Sequence, residues 1–351
     1  MIRGRAWSLI AALFVTIGFV GDAASQSSGL LLGLRYQTEI DRPVPYYSGD
    51  ADSLSRDAYL TLYVTRQGRS VQVAERFDGL LIPSGSDFIR AGSKRSVYNN
   101  WVEDFVWTSR HGARPEIPGI QPYNGENCEG HRSQRIRFAT ARYLSLEERT
   151  AGYCAGAPHP WFFQTFAVVP IDSTAHTGLD IEHVLGDRAR RAFDNQVDRL
   201  SEIDGEDVFI SHPDPANWAI IRDRGVWRAV VRFSLADHIA VDATEDVMLD
   251  VAIPTQIAPR NQRLIPWDSI RRVAPGAIDY FVAPGHDLVV ILRREHLTVH
   301  PLEGSTIGRR LIEVAVPRGA QPVLASWVTG ADVDTRRGRL ASIRRQPPVI
   351  N

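Results

Sequence analysis

Short runs of residues that alternate between apolar and polar, each closed by turn-forming residues, constrain this chain more than any other feature. Successive side chains of a strand point to opposite faces, so a period of two marks a strand with one buried face. Over residues 57–64, Leu60, Leu62 and Val64 fall on one side and Tyr59, Thr61 and Tyr63 on the other, which predicts a half-buried strand. Gln67 and Gly68 supply a turn, Val71 and Val73 resume the alternation, and residues 80–82 offer a further strand stopped by Pro83. Residues 98–107 bring Trp101, Phe105 and Trp107 close together, and rings of that size are expected in the core.

The same pattern recurs further along. Residues 136–143 and 162–171 read as strands, and residues 218–221 and 226–233 flank Asp223-Arg224-Gly225 as a hairpin. Residues 248–253 are expected to continue that sheet. The series 278–282, 288–292, 297–299, 311–316 and 323–327, punctuated by Pro284-Gly285 and Gly319, reads as a β-meander. One such unit resembles a propeller blade, but no repeat of it occurs elsewhere in the sequence.

Helical spacing is convincing in one place. Asp187 stands as the expected cap, Ala189, Phe193, Val197 and Leu200 recur on one face, and Gly205 lies just past the end. The fold class expected is therefore α+β and predominantly β, with antiparallel sheets. One main helix at about 187–201 packs on a sheet, and a carboxyl-terminal β-meander follows.

The first residues bear on location. Arg3 and Arg5 precede an apolar stretch at 8–20 that ends at Gly21 and Asp22, before the small residues Ala23, Ala24 and Ser25. That stretch is shorter than the ~20 residues that cross a bilayer, so residues 1–25 read as a cleaved signal peptide. No cysteine follows for lipid attachment, and the expected location is periplasmic or secreted, with no stable membrane span after cleavage. The two cysteines, Cys128 and Cys154, are expected to pair in such an oxidising compartment.

The segments expected are a β-rich stretch at 26–115, an α+β domain at 116–262, the meander at 263–335 and a basic mobile tail at 336–351. The region between His111 and Gly130 is rich in proline, glycine and asparagine, and reads as the linker between the first two. With a formal net charge of -1, nucleic acid is not an expected partner.

Chemistry-bearing motifs are sparse. There is no Gly-x-Ser-x-Gly elbow, no phosphate-cradling glycine loop and no His-Glu-x-x-His, so no catalytic residue, cofactor or metal is expected. His296 and His300, four apart on a strand, share a face and are the best metal candidates, against a reading as ordinary surface residues. His212-Pro213-Asp214-Pro215 and His286-Asp287 fit turns, as does Ser84. Glu147-Glu148, and Asp204 with Glu206 and Asp207, are the carboxylate pairs that a glycosidase would need, against a reading as solvated loop residues. The most distinctive segment runs from Tyr153 through Cys154 and His159 to Trp161, Phe162 and Phe163. Aromatic rings beside a histidine, tethered by a disulfide, suit a binding surface, and Tyr153, His159, Trp161 and Phe162 are its candidate residues.

Several short elements resemble a family of extracytoplasmic domains of unknown function found in the RsiV anti-sigma factor and in PdaC-like peptidoglycan deacetylases. They occur in the family's order: Gly156-Ala157-Pro158-His159-Pro160, Asp172, Thr177-Gly178, the leucines from Leu179 to Leu185 with the following helix, the hairpin over 218–233, and Ile253-Pro254. The resemblance covers residues 138–254, and Pro158 interrupts the family's Ala-His step. It implies an α+β domain with a sheet packed on a helix, and a sensing role of the kind by which RsiV binds lysozyme. It carries over no catalytic residue. The expected function is a non-enzymatic envelope module that binds an extracytoplasmic protein or glycan. The alternative is a hydrolase of envelope glycans with its site between domains.

Overall fold

The computed structural model describes residues 27–39, 55–68, 70–98, 101–110, 128–156, 161–172, 177–201, 209–210, 213–236, 241–258 and 265–344. The leader at 1–25 and most of the loop expected after His111 lie outside them. The first sheet holds β1 (Ser28–Glu39), β2 (Ser55–Gln67) and β3 (Ser70–Asp78). Next comes a six-stranded sheet in chain order, made of β4 (Leu80–Ser84), β5 (Asp87–Tyr98), β6 (Trp101–Arg110), β7 (Cys128–Ala139), β8 (Tyr143–Cys154) and β9 (Trp161–Pro170). Helices α1 (Ile181–Leu185) and α2 (Asp187–Ser201) lead into a third sheet. There β12 (Val226–Ala236) pairs with β10 (Phe209–Ile210), β11 (Trp218–Asp223) and β13 (Val241–Met248). Helix α3 (Trp267–Val273) precedes a fourth sheet of β14 (Ala277–Val282), β15 (Leu288–Arg293), β16 (His296–Glu303), β17 (Thr306–Ile307) and β18 (Ile312–Ala315). The chain then returns, as β19 (Gln321–Thr329) pairs with β1, and ends in helix α4 (Asp332–Arg344).

The predominantly β class, the antiparallel pairing and most of the expected strands are present. Only β6 and β7 run parallel among the described pairings, from Trp101 opposite Gly130 to Asp104 opposite Ser133. The hairpin at Asp223-Arg224-Gly225 closes in two residues: Asp223 faces Val226, and Arg224 and Gly225 take φ of 44° and 88°. Positive φ at both central positions matches the twist of the flanking strands, and Gly225 adopts it without steric cost.

Four sheets of unequal size packed together, with the last strand completing the first, form a propeller-like arrangement. All four contribute to one large core. Leu30, Leu32 and Leu34 of β1, Phe138 of β7, Trp218 and Ile220 of β11, Phe233 of β12, and Val290 and Leu292 of β15 all belong to it. Each such side chain contributes about 1.5–3 kcal/mol by leaving water.

Several expectations are corrected. Residues 57–64 do not form a half-buried strand, because Tyr59, Thr61 and Tyr63 are as buried as the leucines between them. A second core of Leu31, Leu80, Leu144, Leu340 and Ile343 covers that face. Their polar atoms are satisfied there: the Ile136 N–H donates to the Tyr59 hydroxyl at 2.9 Å, and the Tyr63 hydroxyl donates to the Val333 carbonyl at 2.9 Å. There is not one main helix but two of similar length. Helix α2 lies as expected and packs Phe193 against Phe233, ring centroids 5.6 Å apart. Helix α4 occupies much of the stretch expected to be tail, with Val333, Leu340 and Ile343 buried. Asp187 opens the first turn of α2 rather than capping it, since the Gly186 carbonyl receives the Ala189 and Arg190 N–H groups. The strand expected at 248–253 is placed earlier, ending at Met248. The meander ends at β18, and its supposed last member is β19 of the first sheet.

Candidate functional site

The disulfide forms, and it lies at one end of the six-stranded sheet. Cys128 and Cys154 face one another across β7 and β8, with an S–S distance of 2.04 Å. Two residues inward, a single row crosses four strands: Trp101, Gly130, Gly152 and Trp161. Directly opposed residues share a face, so both indoles stand over the glycines between them. A Cβ on Gly130 would come within 2.5 Å of the Trp101 ring, and one on Gly152 within 2.4 Å of the Trp161 ring. The missing side chains therefore make a seat in which the two indoles lie 6.0 Å apart and nearly parallel at 27°. Phe163, two residues along β9, adds a third ring 5.9 Å from Trp161.

Strand β9 is the last in the order of its sheet, and its two halves differ. In the second half, the Phe166 N–H donates to Asn217 Oδ1 at 2.7 Å, and the Val168 carbonyl accepts the Leu179 N–H at 2.8 Å. Residues of the same parity direct their backbone groups away from β8, so Phe162 and Gln164 do so as well. Among the described residues no strand pairs with that first half. Phe162 is 40% exposed and Phe163 55%, on opposite faces of the strand. Of the residues expected to bind, Tyr153 sits half-buried on β8, and Trp161 and Phe162 start β9. His159 lies outside the described residues. Sequence reasoning placed Trp101 in the core and missed its role as the partner of Trp161; only the register of β6 on β7 reveals it.

The other candidates resolve into structural roles. Glu147 and Glu148 are neighbours on β8 and point to opposite faces. Glu147 is buried, with Arg149 at 3.3 Å, Arg137 at 3.4 Å and Arg232 at 3.6 Å. Burial pushes its carboxyl upward, but Arg137, Arg149 and Arg232 outweigh that and hold it below the ordinary range. Glu148 accepts bonds from Arg132 at 2.8 Å and Gln134 at 3.0 Å. A glycosidase acid needs the opposite shift, a raised one. Asp204, Glu206 and Asp207 lie outside the described residues. His296 and His300 share a face of β16, but His300 is buried, with Nδ1 3.0 Å from the Gly308 carbonyl and Nε2 3.2 Å from Thr298 Oγ1. Burial lowers its pKa, which disfavours the charged ring. Three-ligand groups that could hold a metal are absent among the described residues. His286 occupies the β14–β15 turn at φ 54°, and Asp214 closes its own turn by accepting the Ala216 N–H at 2.9 Å. His212 is not among the described residues.

Fold and site together define a multi-sheet β protein with a disulfide-tethered aromatic edge. No protein-family model matches the chain, and no curated protein matches it either.

Proposed function

We propose that this is an exported, non-enzymatic binding module of a bacterial cell envelope, and that the first half of β9 captures an extracytoplasmic protein by strand addition. The observation that carries the reading is the edge itself. Phe162 and Gln164 offer outward backbone groups, while Phe162 and Phe163 present one ring above and one below. A partner strand that bonds to this edge would meet a ring on each face, the combination by which backbone bonds give affinity and side-chain pockets give specificity. The seated indoles and the disulfide keep the edge in place beforehand, which lowers the entropic cost of capture. Export is supported by the leader of basic and apolar residues and by the disulfide. No described helix is long and apolar enough to cross a membrane.

Capture from envelope extracts by the full chain tests the proposal. Gln164→Pro removes an outward N–H without touching a bond to β8, and Phe163→Ala removes an exposed ring. Both variants are expected to lose the captured protein while keeping the thermal midpoint of the parent. Equal capture by Gln164→Pro would exclude strand addition. Sedimentation with envelope glycan that depends on Phe163 but not on Gln164 would replace the protein ligand by a glycan.

A further inference from the structure

At the far end of β7 from the disulfide, all four sheets contribute to one cleft of about 340 Å³. That volume lies in the range of small-molecule sites, roughly 300–1,000 Å³. Its charged lining is unbalanced: Arg35 from β1, Arg137 from β7, Arg222 from β11 and Arg294 from the β15–β16 turn, against Asp279 of β14 alone.

Asp279 does not balance the others. It accepts bonds from Arg222 Nε at 2.8 Å, the Gly225 N–H at 2.6 Å and the Tyr280 N–H at 2.7 Å. The Arg222–Asp279 pair is thus a saturated, neutral wall, with both side chains only 3% exposed. Arg137 relies on Glu147, which it shares with Arg149 and Arg232. The Arg35 side chain is only 9% exposed, and its Nη1 lies 3.7 Å from Asp57 Oδ2. It bonds Gln321, itself a cleft residue, through Nη2, while Nη1 is the atom that faces Asp57. Arg294 is exposed at the rim and forms no ion pair among the described residues.

Cations crowded in a cleft with apolar walls such as Ile136, Ile221 and Ile278 concentrate positive potential there. An anion in the cleft would relieve that crowding. We infer that the cleft binds a multiply charged oxyanion, a small molecule bearing phosphate or several carboxylates. Arg35, Arg137 and Arg294 are its contacts, since planar guanidinium forks match both groups. This site is separate from the β9 edge and stands without the strand-addition reading, because Cys128 and Arg137 are nine residues apart on one strand, roughly 30 Å.

Calorimetric titration and thermal shift of the full chain with inorganic pyrophosphate and, separately, citrate test the inference. Ionic strength is held constant with sodium chloride. Saturable binding and a raised midpoint are expected with at least one of them, and which one binds assigns phosphate or carboxylate. Arg294→Ala, at an exposed position, is expected to keep the unliganded midpoint and weaken binding by about tenfold or more. Arg137→Gln should weaken it too, whereas Arg191→Ala on the exposed face of α2 should match the parent. No saturable binding of either anion overturns the inference. So does binding that Arg294→Ala and Arg137→Gln leave unchanged, or a midpoint rise that chloride alone reproduces.

Discussion

The two ends of the β7–β8 ladder solve the same problem by different means. At one end, Cys128–Cys154 and the Gly130–Gly152 pair hold two strands with a covalent bond and seated indoles. At the other, Arg137 and Glu147 pair across them, and Arg135 ties β7 to Asp57 of β2, with charges buried among neighbouring sheets. Covalent tethering leaves the outer face free to carry exposed rings. Buried charge does not, because every guanidinium and carboxylate there constrains the sheets around it, and the removal of one strands its partners.

The electrostatic end should therefore be the more fragile. Glu147→Gln leaves Arg137, Arg149 and Arg232 without their shared carboxylate, and is expected to cost about 3–5 kcal/mol in denaturant unfolding. A loss below about 1 kcal/mol would show that these arginines are screened. At the other end, Cys128→Ser combined with Cys154→Ser should cost about 2–4 kcal/mol, with about 3.5 from the chain-entropy argument for this loop. If the double variant proves costlier than Glu147→Gln, the ranking of the two ends is reversed. Gly152→Ala drives a methyl group toward the Trp161 ring and the Glu129 carbonyl. It should cost about 1–3 kcal/mol, and a neutral outcome would mean that Trp161 is not fixed in its seat.

Acid acts at both ends. Glu147 and Asp104 have folded-state pKa values below the ordinary 4.5 and 3.8, so both stabilise the fold above those values. That contribution is lost as pH falls through the folded pKa values. For Asp104, burial pushes upward but is outweighed by Arg95 and His131. Asp279 and Glu103 are raised, mainly by burial, and act with the opposite sign. Glu147→Gln should accordingly lose less further stability than the parent when acidified below pH 4.5. Unfolding midpoints across a pH series that fall in parallel for both proteins would refute this. Smallest of all, Phe163→Ala should change stability by no more than about 0.5 kcal/mol; a larger loss would show that its ring serves the fold rather than a partner.

Legibility in the sequence followed burial. Helix α2 could be read because only one face is buried, and the strand pairs around Arg224-Gly225 because a turn with positive φ leaves a mark in composition. Strand β1 left no alternation, since Leu30, Leu31, Leu32 and Leu34 are all buried, on two faces. Helix α4 was hidden among arginines, with its three buried residues too sparse to announce a face. Aromatic density pointed to Trp161 and Phe162, but the glycine row and Trp101 became visible only through strand register. The arginines of the cleft come from four different sheets, so no spacing along the chain relates them.

The pairing of β1 with β19 has a consequence for how the molecule is made. The first described strand waits, with one edge unfilled, until β19 far along the chain has been made. Closing so long a loop is entropically slow, so folding completes late and from the carboxyl-terminal side. A chain that delays its own closure in this way keeps its two ends apart until synthesis is almost done.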